Sequence, residues 1–410
     1  MEPSLGWTLL SRDALRQAET LARSDVQGVR DEVGFLALHQ AYADRFFPGT
    51  SVQHTRLRYA LFVPWIYEQL MAEGVRERIS ESVSDAEVKL AGQLLQSGES
   101  GIIGKEKYPN NTSQPPCLVY WSALGSWRIL RPLVNGSYPS RTAMHRRMGR
   151  RTSQLSLKDD DKQLMHEETP LFASLPKPPK AWGKTSEPLN FRLLAGEKKF
   201  LANQLMATRR PDSTEPSLLS RLVEANVVLD ENSEMWSDDV RQLADDADRA
   251  ALMRANQVAA LSAIGRGVYA ALVETMKDDE TQGAAITIHR DTLQDLIAEY
   301  AADALELNVA DVRLDAGNIG TQILDVLYQT QSWVRGGGRE LSDLFDVYCK
   351  AESKRKGPRA RLPRTLLARE KRLEWCAEEH PEAQPLHYRW NTARGFLRDL
   401  FVVGEGGDNG

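Results

Sequence analysis

Seven charged side chains crowd the segment from Arg30 to Arg58: Arg30, Asp31, Glu32, Asp44, Arg45, Arg56 and Arg58. Phe35, Leu36, Leu38, Phe46, Phe47 and, just beyond, Tyr59, Leu61 and Phe62 run between them, so the segment is otherwise apolar enough to be core. Charges inside a core must be paired and hydrogen-bonded, so these ions either neutralise one another or await a ligand. Arg30, Asp31, Asp44, His54, Arg56 and Arg58 are therefore candidates for a buried ion network or for an anion site. Arginine clamps phosphate or carboxylate with two parallel bonds, which suits His54, Arg56 and Arg58 to a phosphate or a DNA backbone. A third chemistry is ligation of a divalent metal by Asp31, Glu32 and Asp44, since oxygen ligands suit magnesium. Their spacing matches no nuclease pattern, so neither a metal nor another cofactor is assigned.

A second concentration lies toward the C-terminus, where ten basic residues between Lys350 and Arg372 face two acidic ones, Glu352 and Glu370. Lys354, Arg355, Lys356, Arg359, Arg361 and Arg364 are placed to hold phosphates of nucleic acid. Such a grip weakens with salt, because bound phosphates release their counterions. Tyr388, Arg389 and Trp390 in the run HYRW, with Trp375 nearby in sequence, supply aromatic surface that can stack on bases. The plainer alternatives are a solvated face for the basic run and core positions for Tyr388 and Trp390, which precede Phe396, Leu397 and Leu400 at helical spacing. Another basic cluster, Arg141, Arg146, Arg147, Arg150 and Arg151, adjoins a proline-rich segment. The signatures GxxxxGK[ST], GxGxxG, HExxH and GxSxG are missing, which removes the usual phosphate-loop, dinucleotide, zinc and acyl-transfer chemistries. GIIGKEK (Gly101–Lys107) lacks the spacing that wraps a phosphate, and RGGGRE (Arg335–Glu340) predicts a helix break between Trp333 and Leu341.

Helices must position these residues. The spacing predicts amphipathic helices over 11–27, 30–46, 84–97, 194–207, 217–228, 238–276, 291–305, 320–333 and 338–352. In the second of these the stripe is Val33, Leu36, Ala37, Ala41, Tyr42 and the Phe46–Phe47 pair, and Pro48–Gly49 then turns the chain. Thr50 or Ser51 is placed to cap a helix carrying Arg56 and Arg58, and residues 57–71 form a buried helix or a strand plus helix, kinked or started near Pro64. Residues 98–116, rich in Gly, Asn, Ser and Pro, read as a surface loop. Short strands are expected at Val119–Trp121 and Ala285–Ile288, the latter opening a winged-helix-like unit in the C-terminal half.

With 410 residues, 41% hydrophobic and 27% charged, the chain has the make-up of a globular protein with a sizeable core. The expected organisation is mainly α: an N-terminal helical domain over 1–135, a basic and proline-rich linker over 136–190, a C-terminal helical domain over 191–403 and a disordered tail over 404–410. A net charge of −5 means that any contact with nucleic acid is a local patch, not bulk attraction. Three widely spaced cysteines, Cys117, Cys349 and Cys376, suit a reducing cytoplasm, and no run approaches a membrane span.

Several blocks carry a family resemblance. These are GWTLLS (Gly6–Ser11), the Arg-Asp-Glu start at Arg30, the Phe-Pro-Gly-Thr-Ser turn, Thr-Arg-x-Arg-Tyr, Pro-Trp-Ile-Tyr, SGIIG (Ser100–Gly104), VYWSALGSWRI (Val119–Ile129), KGPRARL (Lys356–Leu362) and LHYRW (Leu386–Trp390). In this order they resemble a bacterial family catalogued as domain of unknown function 6361. The resemblance implies no activity; it implies a gene often found beside phage-defence helicases and nucleases. The function expected is a non-catalytic, cytoplasmic component of an anti-phage system that binds DNA or holds a helicase or nuclease partner, without a membrane. The alternatives are a metal-dependent nuclease centred on Asp31, Glu32 and Asp44, or a pure protein scaffold.

Overall fold

Apolar residues recurring every three or four positions set nearly every element of this chain. The computed structural model describes residues 32–150, 170–229, 232–281 and 285–401. In chain order the helices are α1 (Phe35–Phe46), α2 (Tyr59–Ala72), α3 (Ile79–Gln96), α4 (Pro116–Val119), α5 (Trp121–Ser126), α6 (Arg141–Arg150), α7 (Ala195–Met206) and α8 (Leu218–Glu224). They continue with α9 (Asp238–Leu243), α10 (Asp246–Glu280), α11 (Ile288–Glu306), α12 (Val312–Ala316), α13 (Thr321–Arg335), α14 (Ser342–Lys356), α15 (Leu366–Leu373) and α16 (Trp390–Phe401). The fold is mainly α. Most helices lie within a few residues of their expected positions; the segment over 238–276 is divided into α9 and α10, and α13 and α14 are separated at Gly336–Gly338 as RGGGRE predicts. The helix expected over 11–27 falls outside the described residues.

Extended pairing among the described residues is confined to isolated bridges, Leu130 with Phe172 and Arg209 with Pro216. The expected strand at Val119–Trp121 is helical instead. Pro116 occupies the first position of α4, where a missing N–H costs nothing, and α5 follows at once. Residues 285–287 are an irregular lead-in to α11, with the Ile286 N–H donating to Asp278 Oδ1 at 3.3 Å. The described residues therefore hold no strand for a winged-helix-like hairpin.

The helices gather into two compact units, each discontinuous in sequence. The smaller comprises Met1–His39, Gln257–Ala310 and Asn318–Leu386; the larger comprises Gln40–Asn256, Asp311–Gly317 and His387–Gly410.

At the centre of the larger unit is α2, buried without a break from Tyr59 to Tyr67 with Pro64 inside it. A helix apolar on all sides has to be surrounded. Part of the cover is the proline-rich segment, whose described residues 170–190 lie along α2 and α3. The Trp65 indole donates to the Pro176 carbonyl at 3.0 Å, and Gln93 Nε2 reaches the carbonyls of Ala181, Lys184 and Glu187 at 3.1, 2.7 and 3.0 Å. Neither Thr50 nor Ser51 caps α2, which starts only at Tyr59; Arg56 and Arg58 lie in the turns before it. The Pro48–Gly49 turn forms as expected. Gly49 has φ +80°, and a Cβ there would fall 2.7 Å from Trp127 Nε1, which donates to the Pro48 carbonyl at 3.0 Å. Glycine is the residue that allows both.

In the smaller unit the C-terminal part of α10 is the core, with α11, α13, α14 and α15 in the same unit. A Cβ at Gly265 would lie 2.6 Å from Phe35 Cζ and 2.9 Å from the Tyr348 hydroxyl, so the missing side chain admits both rings to the helix backbone. Tyr348 in turn shares a 2.8 Å hydrogen bond with Thr330. The 35-residue α10 is long and apolar enough to cross a membrane, contrary to the expectation from simple runs, but 89% of its most apolar window is buried in the fold. Of the stripe expected around α1, Val33, Tyr42, Phe46 and Phe47 are buried and Leu36, Ala37 and Ala41 are half-buried; Phe35, Leu38 and Ala43 complete the buried face.

Candidate nucleic-acid interface

The charges ahead of α2 meet partners contributed from far along the chain. Arg56 donates through Nε to Asp399 Oδ1 at 3.0 Å and through Nη1 to Glu99 Oε2 at 3.3 Å, and its guanidinium lies 4.7 Å from the Phe191 ring centre. Asp399 also accepts the Leu57 N–H at 2.8 Å. Burial pushes the Asp399 carboxyl up, and Arg56 and that N–H pull against it.

Arg58 is 3% exposed. Its Nη2 pairs with Glu197 Oε1 at 2.7 Å and its Nη1 donates to the Asn190 carbonyl at 2.8 Å. Glu197 Oε2 accepts the Leu194 N–H at 3.1 Å, closing the first turn of α7. His54 is buried against Tyr120, its ring 4.2 Å away and stacked. The Ser51 N–H donates to Nδ1 at 3.2 Å and Nε2 lies 3.1 Å from the Val119 carbonyl, so the ring is neutral with its proton on Nε2. Asp44 is exposed and pairs with Arg389 at 2.6 Å. Arg30 and Asp31 lie outside the described residues. These ions do not neutralise one another as a cluster: Asp44, Arg56 and Arg58 each face an opposite charge from elsewhere in the chain, and His54 is held by backbone groups.

The basic run divides in two. Lys356 and Arg361 turn inward in the smaller unit. Lys356 Nζ lies 3.5 Å from Glu352 Oε1, 3.7 Å from Glu32 Oε1 and 5.2 Å from the Tyr269 ring centre. Glu352 is fully buried; it accepts the Tyr269 hydroxyl at 2.6 Å and the N–H groups of Arg361 and Leu362 at 2.9 and 2.7 Å. Burial, together with the Glu352 and Glu32 carboxylates, holds the Tyr269 hydroxyl well above its ordinary range. Burial pulls the Arg361 guanidinium down, but the neighbouring Tyr269 and the Glu32 and Glu352 carboxylates hold it above its ordinary range, while its buried Nε has no hydrogen-bond partner among the described residues. These two cations are therefore structural, and their carboxylate neighbours would repel a phosphate.

Lys350, Lys354, Arg355, Arg359 and Arg364 are exposed, Arg364 lying 5.1 Å from the Phe345 ring centre. Lys350 and Lys354 are one turn apart on α14, and Arg359 follows in the 3₁₀ turn that packs against the end of that helix. Tyr388 and Trp390 offer no base platform. Both rings are buried in the larger unit, the Tyr388 hydroxyl donating to the Ala255 carbonyl at 2.9 Å and the Trp390 indole to the Ser233 carbonyl at 2.7 Å. Tyr388 and Arg389 have φ of +45° and +63°, an uncommon turn for side-chain-bearing residues. It leaves Arg389 bonded to Asp44 and to the Thr50 carbonyl.

Of the proposed metal carboxylates, Asp31 lies outside the described residues, Glu32 faces Lys356 and Asp44 faces Arg389. Among the described residues no group of three or more His, Cys, Asp or Glu side chains is arranged to hold a metal. Sequence inspection missed the buried acceptor of the basic run, Glu352; its i, i+4 relation to Lys356 is the signal that points to it.

No curated protein and no solved structure matches this chain. The family described only as one of unknown function, DUF6361, matches residues 3–370, and the blocks from the Arg-Asp-Glu start through KGPRARL fall inside that span. The chain belongs to DUF6361.

Proposed function

We propose that this protein is a non-catalytic, DNA-binding component of a bacterial defence system, gripping phosphates through Lys350, Lys354 and Arg359 and leaving chemistry to a helicase or nuclease partner. The observation that carries the proposal is the exposure of these three cations, two on the last turns of α14 and one in the 3₁₀ turn after it, opposite in sign to the chain as a whole. The defence setting rests on the family resemblance alone.

Lys356 and Arg361 are excluded from the test, because reversing their charge beside Glu352 would unfold the unit. The triple variant Lys350→Glu/Lys354→Glu/Arg359→Glu is the informative one. If each cation engages one phosphate, the row contributes a slope of about −2.7 to log affinity against log salt, roughly a 40-fold loss between 50 and 200 mM. An electrophoretic shift series on duplex DNA should show wild-type binding with at least that salt dependence. The triple variant should bind at least tenfold more weakly with a correspondingly shallower slope. Unchanged affinity and slope would overturn the proposal, as would cleavage of labelled DNA by the purified chain with magnesium alone.

A further inference from the structure

Glu87 on α3 lines a cleft between that helix and residues 103–116. Its carboxylate is 7% exposed; Oε1 accepts the Cys117 N–H at 2.7 Å, and the Cys117 thiol is hydrogen-bonded to the same group. A carboxylate offers about four acceptor positions, so these contacts leave the buried charge short of partners. Burial raises the Glu87 carboxyl above its ordinary range, and the Cys117 N–H and thiol pull against it; Arg141 acts in the same direction through space, without a hydrogen bond.

The walls of the cleft are set by close packing. A Cβ at Gly92 of α3 would fall 2.9 Å from the Tyr108 hydroxyl, and one at Gly104, where φ is +84°, would fall 3.3 Å from Thr112. Both glycines therefore let the loop sit against its neighbours. Val88, Ala91 and Ile103 supply apolar surface, Asn111 and Thr112 add neutral polar groups, and among the described residues no Lys, Arg or His lines the cleft. The space open to the centre of a water-sized group is about 20 Å³, enough for one such group, and the whole cleft with its mouth measures about 310 Å³. A primary ammonium matches water in size, opposes Glu87 in charge and brings three donors to it. A phosphate has the wrong sign, and a methylated ammonium is too large.

We propose that this cleft is a socket for the primary ammonium head of a small aliphatic amine, held by Glu87, with the carbon chain leaving through the open side along the apolar wall. The site lies wholly within the larger unit, goes beyond the DNA-binding proposal and shares no residue with the cations tested there. Because the walls are already packed, little order has to be created on binding.

Isothermal titration of the full chain with n-butylammonium chloride tests this against two probes of equal chain length. Butanol has a head of the same size without the charge; trimethylbutylammonium keeps the charge and exceeds the socket. Butylammonium should bind saturably and at least tenfold more tightly than either. Glu87→Gln retains an acceptor for the Cys117 N–H and should bring butylammonium down to the level of butanol. Asn111→Trp, at an exposed position on the lining, should block the mouth without touching the core and weaken butylammonium at least tenfold. The comparison of probes uses the wild-type chain and the tryptophan variant spares the core, so a misfolded Glu87→Gln would leave the test standing. Absence of saturable binding, equal affinity for butanol or for the trimethyl compound, or binding unchanged in Asn111→Trp would each overturn the proposal, the cleft then holding water only.

Discussion

Replacing Arg58 with methionine should be among the most damaging single changes in the larger unit. The side chain is 3% exposed and its partner Glu197 is 1% exposed. Methionine fills much of the volume, but it leaves the Glu197 carboxylate desolvated with only the Leu194 N–H at 3.1 Å to compensate. Breaking such a pair typically costs about 3–5 kcal/mol, because one buried charge remains. At about 2–4 °C per kcal/mol for a domain of this size class, the melting temperature should fall by roughly 6–20 °C. The double variant Arg58→Met/Glu197→Leu removes both ions and should recover most of the loss. It should fall short by about 1 kcal/mol for the lost bond at the start of α7. Urea unfolding followed by near-ultraviolet circular dichroism reads all three proteins. A cost below about 1 kcal/mol for Arg58→Met, as expected of a solvated ion pair, would refute the desolvation argument. A variant of unchanged stability that lost DNA affinity would return Arg58 to the anion-site role.

Two further predictions concern titratable groups. Burial lowers His54 to about 3, so between that value and the ordinary 6.5 the unfolded chain takes a proton that the folded chain refuses, and stability falls as the pH falls. From pH 7 to 5 this group alone should remove about 2 kcal/mol; urea midpoints for wild type and His54→Gln should therefore converge toward low pH, and parallel pH profiles would contradict it. Cys117 is fully buried, and burial together with the Glu87 carboxylate pushes its thiol up. Alkylation at pH 8 should reach the half-buried Cys376 and Cys349 first and modify Cys117 only in denaturant, as peptide mass spectrometry of the labelled sites would report.

Helix positions were legible because they depend on local periodicity, and α3, α7, α11, α13 and α14 show it plainly. Strand positions were misjudged where β-branched and aromatic residues cluster: at Val119–Trp121 the two prolines starting α4 outweigh strand propensity. The ion network was legible only as a requirement for partners. Which partners was not, because Arg56 finds Asp399, Arg58 finds Glu197 and Arg389 finds Asp44, separations of 343, 139 and 345 residues that no spacing rule reports. Within the basic run, the partner of Arg372 was hidden for the same reason, since Glu280 lies 92 residues upstream. Tyr388 and Trp390 were correctly open to a core assignment; what sends both rings inward is a left-handed turn without glycine.

Closure by α16 and the turn before it bears on how the protein is made. Leu57 is bonded to Asp399, and Ala255 and Ser233 to Tyr388 and Trp390, so the larger unit is closed by residues translated long after its centre. At about 5–20 residues per second, Leu57 leaves the ribosome roughly 20–70 s before its partner exists. Throughout that interval the apolar α2 has an incomplete covering. A nascent chain of this design invites holding by a chaperone, and a ribosome that stalls before His387 releases a product prone to aggregation.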